Sequence, residues 1–259
     1  MREAMHAHPL PAPWSLRAAC LSDVGRTRQS NEDRCLVDLK RNLFIVSDGM
    51  GGQQAGGIAS EAVVTVLPPL LDSRMARTRT LSNGVIESVL QDVMLELSQR
   101  LRTEGTKHIG LQGMGATVAL AWVRGEIVHL AHMGDSRIYL IHQGKLTLQT
   151  EDHSIVALLL RHGEIAPEEV HNHPARGRLT RYIGMKEDVF PDVHTIPIQS
   201  GDRLLLCSDG LTGMVPGLQI EDLLRANPEP ESACQALVEA ANAAGGKDNI
   251  TVLVVNCDE

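Results

Sequence analysis

Leu43-Phe44-Ile45-Val46-Ser47-Asp48-Gly49-Met50-Gly51-Gly52 decides how this chain is read. A short apolar run bounded by turn residues reads as a buried strand, and this one ends on an acid set among glycines. Glycine lets the backbone bend so that a carboxylate and its neighbouring carbonyls face one point. The same grammar returns at Leu204-Leu205-Leu206-Cys207-Ser208-Asp209-Gly210. Two buried strands delivering an Asp in the same way suggest one site that both strands feed. A strand-ending turn would give the same three letters, so the rest of the chain has to decide.

Outward from that stretch the elements follow by period. Strands are expected from Arg17 to Val24, at 34–39 and at 43–47, with the polar turn Gly25 to Asp33 between the first two. Ile58 to Leu71 has helical spacing, with a bend expected at Pro68-Pro69. Val85, Val89, Val93, Leu97 and Leu101 recur every four positions, which predicts a long amphipathic helix over 82–103. The period then shortens to strands at Ala116–Val123, Ile127–Met133, Arg137–His142 and Lys145–Gln149, punctuated by the turns Arg124-Gly125 and Gln143-Gly144. Asp152 is a candidate cap for a helix from Ile155 to Arg161. Residues 163–178 read as an excursion, strands recur at 192–197 and 202–207, helices at 219–226 and 230–243, and Ile250–Val255 is a last strand. Strands and helices do not alternate as in a doubly wound sheet, so the expectation is an α+β fold of antiparallel sheets with paired helices on their faces.

Composition narrows the function. The chain has 259 residues, 43% of them hydrophobic and 22% charged, which suits one globular domain, here 16–257 behind a loose arm over 1–15. Aromatics at 2% and a formal charge of −8 exclude a base-stacking or phosphate-backbone binder, so no nucleic-acid partner is expected. No apolar run approaches a membrane span of roughly 18–20 residues, and the amino terminus lacks a signal-peptide core, so a cytoplasmic protein is expected. The five cysteines, Cys20, Cys35, Cys207, Cys234 and Cys257, lack CxxC spacing and read as reduced core thiols.

Acids beside sharp glycine turns or strand ends recur at Glu32-Asp33, Asp48, Asp135, Asp209 and Asp248. Brought into one pocket they would repel, at about 4 kcal/mol for a pair 4 Å apart at an effective dielectric of 20. Cations relieve this, and all-oxygen ligands select magnesium or manganese over zinc. Two such ions can make water nucleophilic near neutral pH and stabilise phosphoryl oxygens. Arg28, five residues before Asp33, can grip phosphate bidentately.

In this order the motifs resemble the metal-dependent Ser/Thr protein phosphatases of type 2C in their compact bacterial form, from about Ser22 to Val255. Gly25-x-x-Arg28-x-x-Asn31-Glu32-Asp33 is similar to the family's first motif and Ser47 to Gly52 to its second. Gly115-Ala116-Thr117, Gly134-Asp135-Ser136-Arg137 and Asp152-His153-Ser154 match the middle motifs, and Leu179-Thr180-Arg181 follows. Cys207 to Gly210 and Asp248-Asn249-Ile250-Thr251 match the late pair. The resemblance implies a four-layer α-β-β-α sandwich, two antiparallel sheets flanked by helix pairs, with a flap at 163–178. It implies metal ligation by Asp33, Asp48, the Gly49 carbonyl, Asp209 and Asp248, with Glu32 through water, for two Mn2+ or Mg2+ ions, and by Asp135 with Asp209 for a third. Arg28 lands on the phosphate-binding arginine, and Arg28, Asp33, Asp48 and Asp209 carry the catalysis, direct attack of a metal-activated water on phosphoserine or phosphothreonine. Phosphoprotein substrates of a cognate Ser/Thr kinase and a monomeric state are implied as well.

Two departures stand out. Met50 and Gln53 occupy positions where relatives carry histidines, leaving a metal-held water as the expected proton donor and His153 as the nearest side chain, though a structural hydrogen bond is its simpler role. Arg137 reads as a structural ion pair, and His171 and His173 as loop histidines rather than a metal pair. Two alternatives remain: a phosphatase fold that binds without catalysis, and the same chemistry on phosphotyrosine or small phosphate esters.

Overall fold

The computed structural model describes residues 14–51, 55–78 and 80–258, the side chain of His171 excepted. The arm up to residue 13 and the position of Gln53 lie outside them, while Ser15, placed in the arm by the sequence reading, is the first residue of strand β1.

In chain order the strands and helices are β1 (Ser15–Asp23), β2 (Arg34–Asp38), β3 (Leu43–Ser47), β4 (Gly49–Met50), α1 (Ala55–Met75) and α2 (Asn83–Lys107). Then come β5 (Gly115–Ala116), β6 (Val118–Arg124), β7 (Ile127–Met133), β8 (Arg137–His142), β9 (Lys145–Leu148) and α3 (Ile155–Arg161). The chain ends with β10 (Asp192–Pro197), β11 (Arg203–Cys207), α4 (Asp209–Thr212), α5 (Gly217–Ala226), α6 (Pro230–Ala243) and β12 (Ile250–Asp258). One antiparallel sheet has the order β1-β12-β11-β8-β9 and a second the order β10-β7-β6-β3-β2. A two-residue ladder, β4 with β5, stands apart and had no periodic signal in the sequence.

The layers follow from the period of two along each strand. In β3, Leu43 and Ile45 face α1 and α2, joining Val63, Leu67, Leu90 and Leu97, while Phe44 and Val46 face the other sheet. In β11, Leu205 and Cys207 pack against Leu237 and Leu224 of α6 and α5, while Leu204 and Leu206 meet Phe44 between the sheets. Both faces of the central strands are therefore dry, which is why they read as continuous apolar runs in an antiparallel sheet. The α+β four-layer sandwich is the result.

Three further details differ from the sequence reading. α1 spans Ala55–Met75, longer at both ends than the expected Ile58–Leu71, with Pro68-Pro69 inside it. Interior prolines cost a helix about 3 kcal/mol each, and burial of Leu67, Pro68, Leu71 and Met75 offsets this. The cap of α3 is Ser154, whose Oγ accepts from the Ala157 N–H at 3.3 Å, not Asp152. Cys20 and Cys35 are joined in a disulfide between β1 and β2, the matching edges of the two sheets, leaving only Cys207, Cys234 and Cys257 as buried free thiols. Spacing along the chain could not reveal that pair, because it is the closing of two sheets edge to edge that brings its strands together.

Candidate metal and phosphate site

The acids singled out by the sequence meet where the ends of separate strands come together. Asp33 precedes β2, Asp48 follows β3, Asp135 lies between β7 and β8, Asp209 opens α4 just after β11, and Asp248 precedes β12. Burial pushes the Asp48 carboxyl well above the ordinary range, and the charges of Asp33, Asp209, Asp135 and Asp248 all add to the effect. Burial, then repulsion from neighbouring acids, lifts Asp33 and Asp209 to about 6 and Asp135 to about 8. For Asp209 the main repelling charge is Asp248, while the guanidiniums of Arg176 and Arg28 act in the opposite direction.

Polar neighbours inside the same motifs hold several of these acids in place. The Ser208 hydroxyl donates to Asp33 Oδ2 at 2.7 Å and itself accepts from the Thr251 N–H at 3.0 Å, which aims the carboxylate. Among the described residues, Asp33 Oδ1 is buried without a hydrogen-bond partner. Thr117 joins two of the turns: its Oγ1 accepts from the Asp48 N–H at 2.9 Å and pairs with Ser136 Oγ at 2.6 Å, and its carbonyl accepts from Ser47 Oγ at 2.7 Å. Asn249 clamps the β1–β2 loop by accepting from the Glu32 N–H at 2.9 Å and donating to the Val24 and Ser30 carbonyls at 3.0 and 2.9 Å. The signal that could have found them is adjacency, since each sits inside or beside an acid-bearing motif.

The glycines beside the acids serve close approach more than bending. A Cβ at Gly49 would lie 2.1 Å from the Gly56 carbonyl oxygen, and one at Gly210 would lie 1.8 Å from that of Asn249. Only glycine lets β4 press against the start of α1 and α4 press against the Asp248–Asn249 turn.

Arg28 is half exposed at the rim, its Nη2 donating to Asp248 Oδ2 at 2.8 Å. Arg137 makes the expected structural pair, donating to both oxygens of Asp152 at 2.8 and 2.7 Å. His153 is 3% exposed. Its Nδ1 accepts from the Gly134 N–H at 3.2 Å and its Nε2 lies 2.9 Å from Asp192. That hydrogen-bonding pattern puts the proton on Nε2, so His153 orients the Gly134–Asp135 turn and has no free nitrogen for substrate. The same pattern argues against metal binding by His132, His153 and Asp192, whose donor atoms all lie within 4.8 Å of one another. His173 Nδ1 accepts from the Ala175 N–H at 3.1 Å, as a loop histidine does. Met50 sits in β4 and offers no proton.

The excursion at 163–178 does lie beside the acids. Val170, Arg176 and Gly177 line a small pocket of about 80 Å3 together with Asp135, Asp152 and Asp209. A larger cavity, about 560 Å3, lies elsewhere, between Glu126, Leu140, His142, Ile198 and Asp202. It gathers no comparable set of acids, and chemistry rather than size identifies the site.

The donor set suits hard divalent cations. A buried carboxylate oxygen without a partner and four acids held above their ordinary range are groups that lack a positive charge. Oxygen-only ligation selects magnesium or manganese.

Comparison with known proteins finds relatives over nearly the whole chain. A family model described as protein phosphatase 2C matches residues 25–252. The chain is 40% identical over 246 residues to the serine/threonine phosphatase stp of Listeria monocytogenes serotype 4b, covering 94% of this chain and 96% of that one. It superposes with a TM-score of 0.84 on the serine/threonine phosphatase PstP/Ppp of Mycobacterium tuberculosis, at 34% identity, covering 94% and 99% of the two chains. A second structure, the PstP catalytic domain in complex with two manganese ions, gives a TM-score of 0.82 at 33% identity, with the same coverage.

Proposed function

The chain belongs to the protein phosphatase 2C family and is a metal-dependent serine/threonine protein phosphatase, and from that premise we propose that its chemistry resides in the acid-lined cleft. The carrying observation is the convergence of buried, mutually repelling carboxylates from separate segments, one with a bare oxygen. Asp33, Asp48, the Gly49 carbonyl, Asp209 and Asp248 would hold two Mn2+ or Mg2+ ions, with Glu32 acting through water and Asp135 with Asp209 offering a third position. When bound, such ions supply Lewis acidity that makes water nucleophilic near neutral pH and draws charge from phosphoryl oxygens.

The chain's own groups position the reaction. Among the described residues Arg28 is held at its Nη2 by Asp248, so its guanidinium can turn to two phosphate oxygens of a phosphoserine or phosphothreonine. Ser208 and Thr251 keep Asp33 aimed inward, and Thr117 keeps the Asp48 and Asp135 turns in register. His153, buried and fully engaged, is not the proton donor to the leaving oxygen, and Met50 has no proton to give, so that proton comes from water. Residues 16–257 form one phosphatase domain, with 163–178 as the flap that selects the carrier of the phosphate. Phosphoproteins are the substrates. A cognate Ser/Thr kinase as their source, a monomeric state and a cytoplasmic location complete the proposal. No helix among the described residues is long and apolar enough to cross a membrane.

The test is phosphate release from a phosphothreonine peptide with manganese, with EDTA, and with Asp209→Asn. Turnover that requires manganese and is lost in the folded variant is expected. Turnover that survives either control overturns the proposal, and preference for a phosphotyrosine peptide would overturn the substrate.

A further inference from the structure

We propose that Cys20 and Cys35 form a thiol–disulfide modification site whose state sets how firmly the β1–β2 loop, and with it the metal centre, is held. This rests on the reading that Arg28, Glu32 and Asp33 serve that centre.

Three observations carry it. The bond joins β1, the edge of one sheet, to β2, the edge of the other, so it ties the sandwich at an open side. The chain between the two cysteines, which are 15 residues apart, is the loop that bears Arg28, Asn31, Glu32 and Asp33. Closing that loop at its base restricts the conformations its functional residues can reach. Finally, Cys20 is exposed and Cys35 half-buried, so a small thiol can reach the bond. The remaining cysteines cannot compete, because they are buried and burial pushes their thiols up to about 12.

The exchange is balanced with a low-molecular-weight thiol of the glutathione class. Its thiolate attacks the Sγ of Cys20, the more exposed of the two residues, the Sγ–Sγ bond breaks, and Cys35 leaves as a thiolate that takes up a proton. A second thiol attacks the mixed disulfide, releasing the small disulfide and leaving Cys20 as a thiol. Oxidation by the small disulfide runs the same steps in reverse. With the bond open the loop keeps its other anchors: Asn249 to Glu32, Val24 and Ser30, the Arg26 N–H to the Gly246 carbonyl, and Asn31 to Ser22. Reduction therefore loosens the loop without unfolding the protein. Metal binding must then order it, which weakens affinity.

The experiment uses the full chain, oxidised with glutathione disulfide or reduced with a phosphine. Non-reducing peptide mapping reads the bond, a thermal melt in EDTA reads the fold, and titration with Mn2+ reads the centre. Expected are a Cys20–Cys35 linked peptide in the oxidised protein, a melting temperature about 6–12 °C lower after reduction, and manganese affinity weaker by about threefold or more. Cys20→Ser should match the reduced protein in both conditions, while Cys234→Ser should respond to redox as the native chain does. Absence of the linked peptide overturns the inference. So does a bond whose reduction leaves manganese affinity unchanged, whatever happens to the melt. Failure to hydrolyse phosphopeptides in either state would count against the phosphatase reading instead, since mapping, melting and metal titration do not depend on turnover.

Discussion

Manganese binding should be strongly pH-dependent, because the cation has to displace protons. Asp33 and Asp209 are held at about 6 by burial and by neighbouring acids, against an ordinary 3.8. At pH 5 an acid of pKa 6 is about 90% protonated, and removing that proton weakens binding about elevenfold, roughly 1.4 kcal/mol. At pH 7.5 the cost is almost gone. The two acids together predict affinity about a hundredfold tighter at pH 7.5 than at pH 5, or roughly 3 kcal/mol. Asp135, lifted to about 8, adds in the same direction if it joins the centre. The sign for the metal-free fold is the opposite: a raised acid stabilises the fold while protonated, and that contribution is lost as pH rises through about 6. Buried His129 and His132, lowered to about 4 and 3, oppose this trend, since stability lost to their exclusion of protons returns as pH rises through 6.5. A melt of the metal-free protein therefore mixes both. Calorimetric titration with Mn2+ separates them, because the histidines lie outside the acid cluster and titrate alike in both states. Titrations from pH 5 to 7.5, in buffers of different ionisation enthalpy, should count two or more protons released at pH 5, from Asp33 and Asp209 with Asp48 adding to them, and fewer at pH 7.5. Equal affinity across that range, or no proton release at pH 5, would refute the argument that these carboxylates are buried, repelling and ligating.

Two substitutions test the supports around the acids. Ser208→Ala removes the donor that aims Asp33, a hydrogen bond to a charged group worth about 1.5–3 kcal/mol; manganese affinity should fall at least tenfold while the secondary structure measured by circular dichroism stays native, and unchanged affinity would leave Ser208 a packing residue only. Gly210→Ala forces a Cβ to 1.8 Å from the Asn249 carbonyl oxygen, whereas Gly217→Ala meets nothing within 4 Å. The first should lower the melting temperature by more than 10 °C, given at least several kcal/mol of overlap at roughly 2–4 °C per kcal/mol, and the second should leave it within a degree or two; equal melts would show that α4 can move away.

Much of the fold was readable because its elements announce themselves locally. The run Leu43–Ser47 and the strand Ile127–Met133 are β elements at the expected bounds, and the four-residue recurrence from Val85 to Leu101 falls in α2. The acids were readable for a similar reason: each stands next to a turn, and motif order tied them together. What escaped were groups whose partners are distant in sequence. Ser208 reaches Asp33 across 175 positions and Asn249 reaches Glu32 across 217. Adjacency to an acid marks each as belonging to a motif, but nothing local says which distant residue it reaches. Asp152 looked like a helix cap because a cap is a local role, and it was claimed instead by Arg137 from another strand.

The sequence by itself determined the main elements, the acidic chemistry and the family, because hydrophobic period, turn residues and motif order are properties of neighbours along the chain. Tertiary structure alone decided that Phe44 faces the opposite sheet while Ile45 faces the helices, and that Gly49 and Gly210 are needed for contact rather than for bending. It also decided that Cys20 meets Cys35. Each of these depends on which strands lie side by side and in what register, and no stretch of local sequence carries that information.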